Sequence, residues 1–268
     1  MENILEIEKL SAGYGPLRVL HEVDLKLSPG ERIGLVGLNG HGKTTLIRAI
    51  THMTEWQQGS IRLNGTEIGG KRSYGAGRWT ASIVKKGISV APQGDAIFPG
   101  LTVRQHLTCG AFTRKAWRER DKKIEEIYKI FPPLKKLENS LVGKLSGGER
   151  RMTSVGRMLM VEADLYLIDE PTLGLAPKIS KSLLEAIWSL PMQNSAMIIA
   201  EQNMNLLLRP AQQIVCVHSC LFVPRMSLCR KLLNELALVQ CGCRAHRIQW
   251  LRVRLFGFIN GIERCVIC

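Results

Sequence analysis

Three short stretches of the sequence hold residues whose types and spacing suit phosphate chemistry. In "GLNGHGKTT" the residues Gly37, Leu38, Asn39, Gly40, His41, Gly42, Lys43, Thr44 and Thr45 fit the pattern G-x-x-x-x-G-K-[ST]. Its glycines let successive backbone N–H groups curl round an anion. Lys43 would reach β- and γ-phosphates, and the Thr44 hydroxyl would reach Mg²⁺. His41 falls on a variable position and reads as loop. In "LYLIDEP" an apolar run carries Asp169 and Glu170 to its C-terminal end, the end at which open α/β sheets bind ligands. Asp169 suits a partly hydrated Mg²⁺, and Glu170 suits a general base that polarises water. Such a strand end is more often structural when it stands alone. Beside a phosphate cradle it reads as catalytic.

The third stretch, "LSGGERR" from Leu145 to Arg151, is a second place for an anion. Gly147 and Gly148 leave amides open to close approach, and a helix N-terminus adds positive potential. Ser146 and Glu149 have the spacing of a capping box, so a helix starts here. One domain with two phosphate sites is a puzzle that the residues alone leave open.

These residues need elements to hold them. "ILEIEKL" and "VLHEVDLKL" alternate as half-buried antiparallel strands round a "GYGP" turn, and "GSIRLNGTEI" reads as two more round Asn-Gly. "ERIGLVGL", "ADLYLIDEP" and "SAMIIAEQ" are short apolar runs of the kind buried in parallel sheets. "GKTTLIRAI" and "SKSLLEAIWSL" have helical patterns. Residues 101 to 141 are mainly helical, with "RKAWRERDKKIEEIYKI" stopped by "FPPL". "GGKRSYGAGRW" is loop. Strands alternating with helices predict a parallel α/β sheet with inserted subdomains.

The 268 residues, 45% of them hydrophobic, suffice for one or two domains with a sizeable core. No run of eighteen apolar residues occurs, and "MENILEIEKL" is no secretory signal. A cytoplasmic protein that does not span the membrane is the expectation. The net charge of +14 would suggest an acidic partner, but it is unevenly spread. From residue 218 onward eight Arg and Lys face only Glu235 and Glu263, and six of the eight cysteines lie there.

Five motifs together resemble the ATP-binding cassette ATPases. "GLNGHGKTT" is similar to their Walker A, "LYLIDEP" to Walker B with its catalytic glutamate, and "LSGGER" to their signature. "APQG" resembles the Q-loop and brings in Gln93, and Tyr14 matches the aromatic that stacks on adenine. Without the resemblance, Gln93 is a solvated loop residue and Tyr14 a turn aromatic. The likeness runs over about residues 1–217 in the right order. It implies a P-loop NTPase of the ABC type, with a mostly parallel core sheet, an N-terminal antiparallel β-subdomain and an α-helical subdomain at about 99–150. It implies ATP and Mg²⁺ as cofactors, with Thr44, Gln93 and Asp169 near the metal and Glu170, Gln93 and Gln202 in catalysis. It also resolves the puzzle. Two cassettes of this family pair head to tail, and Ser146, Gly147, Gly148 and Glu149 of one close on the γ-phosphate held by the other.

"FPGLTVRQHL", "LSGGERRM", "PTLGLAP" and "AEQNMNLLL" most resemble the shorter ATPase subunit of branched-chain amino-acid importers, a group with relatives for urea, amides and other amino acids. The implied partners are a second ATPase subunit, two transmembrane permeases and a substrate-binding protein, at the cytoplasmic face of the inner membrane. Ala176 and Gln202 stand where the wider family has an aspartate and a histidine; this importer subgroup shares both departures. Other readings are a soluble cassette protein of DNA repair or translation, or a remnant that no longer couples. The first generally needs two cassettes in one chain or a long coiled coil, and this sequence has neither.

Beyond Val217 the likeness stops. The abrupt change of composition predicts a changed reading frame, and so a poorly ordered tail at 218–268 that cannot supply the family's C-terminal strand. Competing readings are zinc on Cys241, Cys243, Cys265 and Cys268, an anionic membrane surface, or nucleic acid, for which only Trp250 and the Phe residues offer stacking. No nucleic-acid partner is expected.

Overall fold

The computed structural model describes residues 3–69, 85–207, 213–218 and 221–226. The loop expected in "GGKRSYGAGRW" falls almost wholly outside them, as do Cys241, Cys243, Trp250, Cys265 and Cys268.

Two sheets form the frame. The first is antiparallel, in the order β2-β1-β4-β5, from β1 (Leu5–Tyr14), β2 (Leu17–Leu27), β4 (Trp56–Leu63) and β5 (Thr66–Gly69). The β4–β5 turn is the Asn-Gly pair, with φ of +48° at Asn64 and +72° at Gly65. Both central residues are left-handed, as a tight hairpin that follows the strand twist requires.

The second sheet has the order β10-β9-β3-β8-β7-β6. Its strands are β3 (Arg32–Val36), β6 (Ile88–Ala91), β7 (Leu165–Asp169), β8 (Ala196–Glu201), β9 (Gln213–His218) and β10 (Leu221–Met226). All its pairings are parallel except β9 with β10. The apolar runs are explained by burial on both faces. Successive side chains of a strand point to opposite faces. Thus Tyr166, Ile168, Met197 and Ile199 join one core with the helices, while Leu165, Leu167, Ile198 and Ala200 join another under the antiparallel sheet.

Of the segment beyond Val217, the described residues 221–226 form β10, with Phe222 opposite Val217 and Val223 opposite Cys216 at the sheet edge. Six alternately extended residues suffice for a ladder, because its hydrogen bonds come from the backbone.

Between β6 and β7 the chain is helical: α2 (Val103–Thr108), α3 (Arg114–Arg118), α4 (Arg120–Ile130), α5 (Pro132–Lys136), a 3₁₀ turn (Val142–Lys144) and α6 (Gly147–Leu159). "RKAWRERDKKIEEIYKI" is two helices rather than one, parted at Glu119 with φ −100° and ψ 8°. Ala116 buries from α3, and Ile124, Ile127 and Tyr128 from α4. Phe131 ends α4, and the proline pair starts α5, where a missing N–H costs nothing.

Helix α7 (Pro177–Trp188) follows β7, and α8 (Met204–Leu207) follows β8. Ala176 is the N-cap of α7 and has extended backbone but no side-chain acceptor. Ala176→Asp should therefore add a cap and stabilise the protein by about 1 kcal/mol, raising Tm by roughly 2–4 °C. A thermal melt that fails to rise would show that the exposed amides of this turn are already satisfied.

Candidate active site

The cradle forms between β3 and α1 (Lys43–Ile50). Gly40 and Gly42 have φ of +83° and +95°, so the loop turns through conformations that side chains resist. Gly42 is the N-cap of α1, and a Cβ there would meet Leu20 Cδ2 at 3.1 Å. The helix thus starts with its amides open and no cap side chain over them, the arrangement that favours an anion. Leu38, Asn39 and Gly40 are exposed; Gly42, Lys43 and Thr45 are buried.

Lys43 is only 3% exposed, so its charge needs partners. Its ammonium donates to the carbonyls of Gly37 at 2.8 Å and Leu38 at 3.1 Å, and pairs with Glu170 Oε1 at 3.1 Å. Glu170 is equally buried, just past the end of β7, with φ of +45°. That conformation is uncommon for a side-chain-bearing residue, and such strain gathers at functional sites. Its N–H bonds to Ala200 O at 2.8 Å, which ties the strained residue to β8. Its other carboxylate oxygen accepts from Gln93 Nε2 at 2.8 Å. Lys43, Glu170 and Gln93 thus form one hydrogen-bonded chain.

Asp169 ends β7 beside them. It bonds the Thr44 side chain, yet its buried Oδ1 has no hydrogen-bond partner among the described residues. Burial pushes its carboxyl above the usual carboxylate range, against the Thr44 bond that favours the charged form. An orphaned carboxylate oxygen next to a threonine hydroxyl is a hard-oxygen donor set, and it fits Mg²⁺. The cation's charge would reverse the effect of burial.

Sequence reasoning missed Glu201, a buried carboxylate at the end of β8. It accepts from the Thr172 N–H at 3.0 Å, which fixes the turn that follows Glu170. Burial raises its pKa too, with the Thr172 bonds opposing. An acid ending an apolar parallel strand was the available signal. Gln202 is exposed next to it, and its backbone bonds the Glu201 carboxylate.

The remaining expected residues lie apart from this chain of contacts. Tyr14 ends β1 half-buried, its hydroxyl 3.4 Å from Arg48 Nη1 of α1. His41 is in the loop, its N–H on Leu38 O. Ser146 caps α6 in a full capping box: Glu149 Oε2 accepts the Ser146 N–H at 2.8 Å, and Ser146 Oγ accepts the Glu149 N–H. Ser146 is exposed, with Gly147 and Gly148 half-buried beside it. Here a Cβ on Gly148 would meet Ile179 at 2.7 Å, so the loop lies tight against α7. Among the described residues, the side-chain bonds of Ser146 run to Glu149 and those of Lys43 to Gly37, Leu38 and Glu170.

The ABC transporter family model matches residues 20–173, from before the cradle to just past Glu170. The chain belongs to the ABC transporter family. It is an ATP-hydrolysing cassette, a P-loop α/β ATPase. Over 213 residues it is 35% identical to the high-affinity branched-chain amino acid transport ATP-binding protein BraG of Pseudomonas aeruginosa, covering 78% of this chain and 87% of that one. It is 32% identical over 201 residues to the probable branched-chain amino acid transport ATP-binding protein LivF of Archaeoglobus fulgidus, 75% and 82% covered. In fold it matches a nucleotide-free ATP-binding cassette from an ABC transporter, with a TM-score of 0.71 at 22% identity over 88% of this chain and 95% of that one. Among the described residues, no helix of this ABC ATPase is long and apolar enough to cross a membrane.

Proposed function

We propose that this cassette is the energy-coupling subunit of an importer for branched-chain amino acids or related amino acids and amides. The Lys43–Glu170–Gln93 chain carries the catalytic half of the reading. Lys43 holds the β- and γ-phosphates, the loop amides from Gly37 to Thr45 wrap them, and Tyr14 stacks on adenine. Mg²⁺ would be held by Thr44, Asp169 and Gln93, and would screen the phosphate charge. An incoming γ-phosphate competes with Glu170 for Lys43, since an ammonium has only three donors and all are engaged. Glu170, released from Lys43, takes the proton of the attacking water, with Gln93 orienting it and Gln202 bonding phosphate oxygen. Glutamine there can donate a hydrogen bond but carries no proton.

Ser146, Gly147, Gly148 and Glu149 serve the ATP of a facing cassette. The exposure of Ser146 at a helix N-terminus, with Gly147 and Gly148 half-buried beside it, supports that reading. ATP then joins two cassettes and hydrolysis parts them, a two-state element biased by a γ-phosphate. The partners are a second ATPase subunit, two permeases and an external binding protein, with this chain peripheral on the cytoplasmic face of the inner membrane. Relatives named for branched-chain amino-acid transport support the substrate class.

Lys43→Ala tests the nucleotide site. It should reduce ATP affinity by two orders of magnitude or more, because a buried charge-assisted contact is worth roughly 3–5 kcal/mol once its partner is stranded. Retained affinity in a binding titration would reject the cradle. Affinity purification of the tagged chain from solubilised membranes tests the transport role: multispanning permeases should come with it, and a soluble cassette protein would bring none.

A further inference from the structure

Helix α6 carries two consecutive arginines that the proposed site does not use. Arg150 Nε pairs with Asp95 Oδ2 at 2.8 Å while its Nη1 donates to Leu145 O at 3.2 Å. Arg151 is 4% exposed, and its Nη1 donates to the carbonyl of Gly94. Both grips fall on the two residues directly after Gln93. That loop is a sharp one, with φ of +84° at Gly94 and +43° at Ala96. A backbone in such conformations holds its shape only if its surroundings fix it. Here the fixing contacts come from the helix that begins with Ser146, Gly147 and Gly148.

Arg151 also lies in the field of four carboxylates. Burial lowers its pKa from the ordinary arginine value, and Asp95, Glu201, Asp169 and Glu170 pull against that. A guanidinium remains charged even so. Its Nε is buried without a hydrogen-bond partner among the described residues, so the fork is spent on Gly94 and on the field of the acids. Lysine could supply the charge but not the planar fork.

We propose that Arg151 is a positioning residue that ties the signature end of α6 to the Gln93–Glu170 pair. The signature loop that receives the facing cassette's ATP is thereby joined, through less than two turns of rigid helix, to the residue orienting this chain's own base. A shift of α6 would therefore move Gly94 and with it Gln93. The inference rests on the assignment of Glu170 as base.

Full-length wild-type protein, Arg151→Met, Arg151→Lys and Glu170→Gln would be compared for ATP affinity, steady-state hydrolysis and amide hydrogen exchange. Methionine keeps most of the buried volume and removes charge and donors. Arg151→Met should lower kcat about tenfold or more with KM nearly unchanged, because small misplacements of an orienting group are costly. Exchange at residues 93–97 should rise about tenfold while the amides of β7 stay protected, which separates a freed loop from general unfolding. Arg151→Lys should recover part of kcat. Unchanged kcat with unchanged exchange would overturn the proposal. So would a loss of protection spread equally over β7, which marks a merely structural arginine. Wild-type turnover in Glu170→Gln would sink the assignment of the base instead, leaving the exchange result to judge the clamp.

Discussion

Glu170→Gln should keep ATP binding and lose turnover by roughly 10²–10⁴-fold, the usual worth of a positioned general base. Glutamine has the same shape, and its amide oxygen can still accept from Gln93 Nε2, so the loop after β6 keeps its contact. What disappears is the group proposed to take the proton from water, an interaction made in the transition state. Lys43 simultaneously loses its ion pair with Oε1. ATP affinity should therefore hold or rise, since phosphate no longer displaces a carboxylate. Equilibrium binding and phosphate release, measured on one preparation, check both halves. Hydrolysis at the wild-type rate would remove Glu170 from the role.

Ser146→Arg should leave nucleotide binding by its own chain intact and abolish hydrolysis at the facing cassette's site. The serine hydroxyl serves the capping box of α6, and losing a cap costs only about 1 kcal/mol. Ser146→Ala, which loses the cap without adding bulk, separates that cost from the effect on the partner. In mixed assemblies the arginine should block the close approach of a γ-phosphate to the amides of Gly147 and Gly148. A defect confined to the substituted chain's own site would refute action across the interface.

The legible parts of this molecule were those where local chemistry and global fold agree. Asn64-Gly65 had to be a left-handed turn, and Gly42 with Lys43 had to open a helix. Ser146 and Glu149 declared their capping box through spacing alone. Buried parallel strands were visible as apolar runs because both faces of the sheet are covered. Asp169 and Glu170 followed from their place at a strand end.

What stayed hidden depended on contacts far apart in sequence. Glu201 is visible as an acid ending an apolar strand, but its role shows only when β8 sets it beside Thr172. Arg151 reads as the solvated face of α6 until Gly94 is brought against it, 57 residues away in the chain. The break at Glu119 has no proline or glycine to announce it. Strand β10 was invisible because composition carries little information on where backbone hydrogen bonds will form.

The structure of the Glu170→Gln protein bound to ATP and Mg²⁺ tests the central claim most directly. The account predicts a triphosphate wrapped by residues 37–45, its γ-phosphate on Lys43 where Glu170 now sits, and Ser146 of a facing cassette against that same phosphate. A triphosphate held elsewhere, or closed over by Ser146 of its own chain, would contradict it.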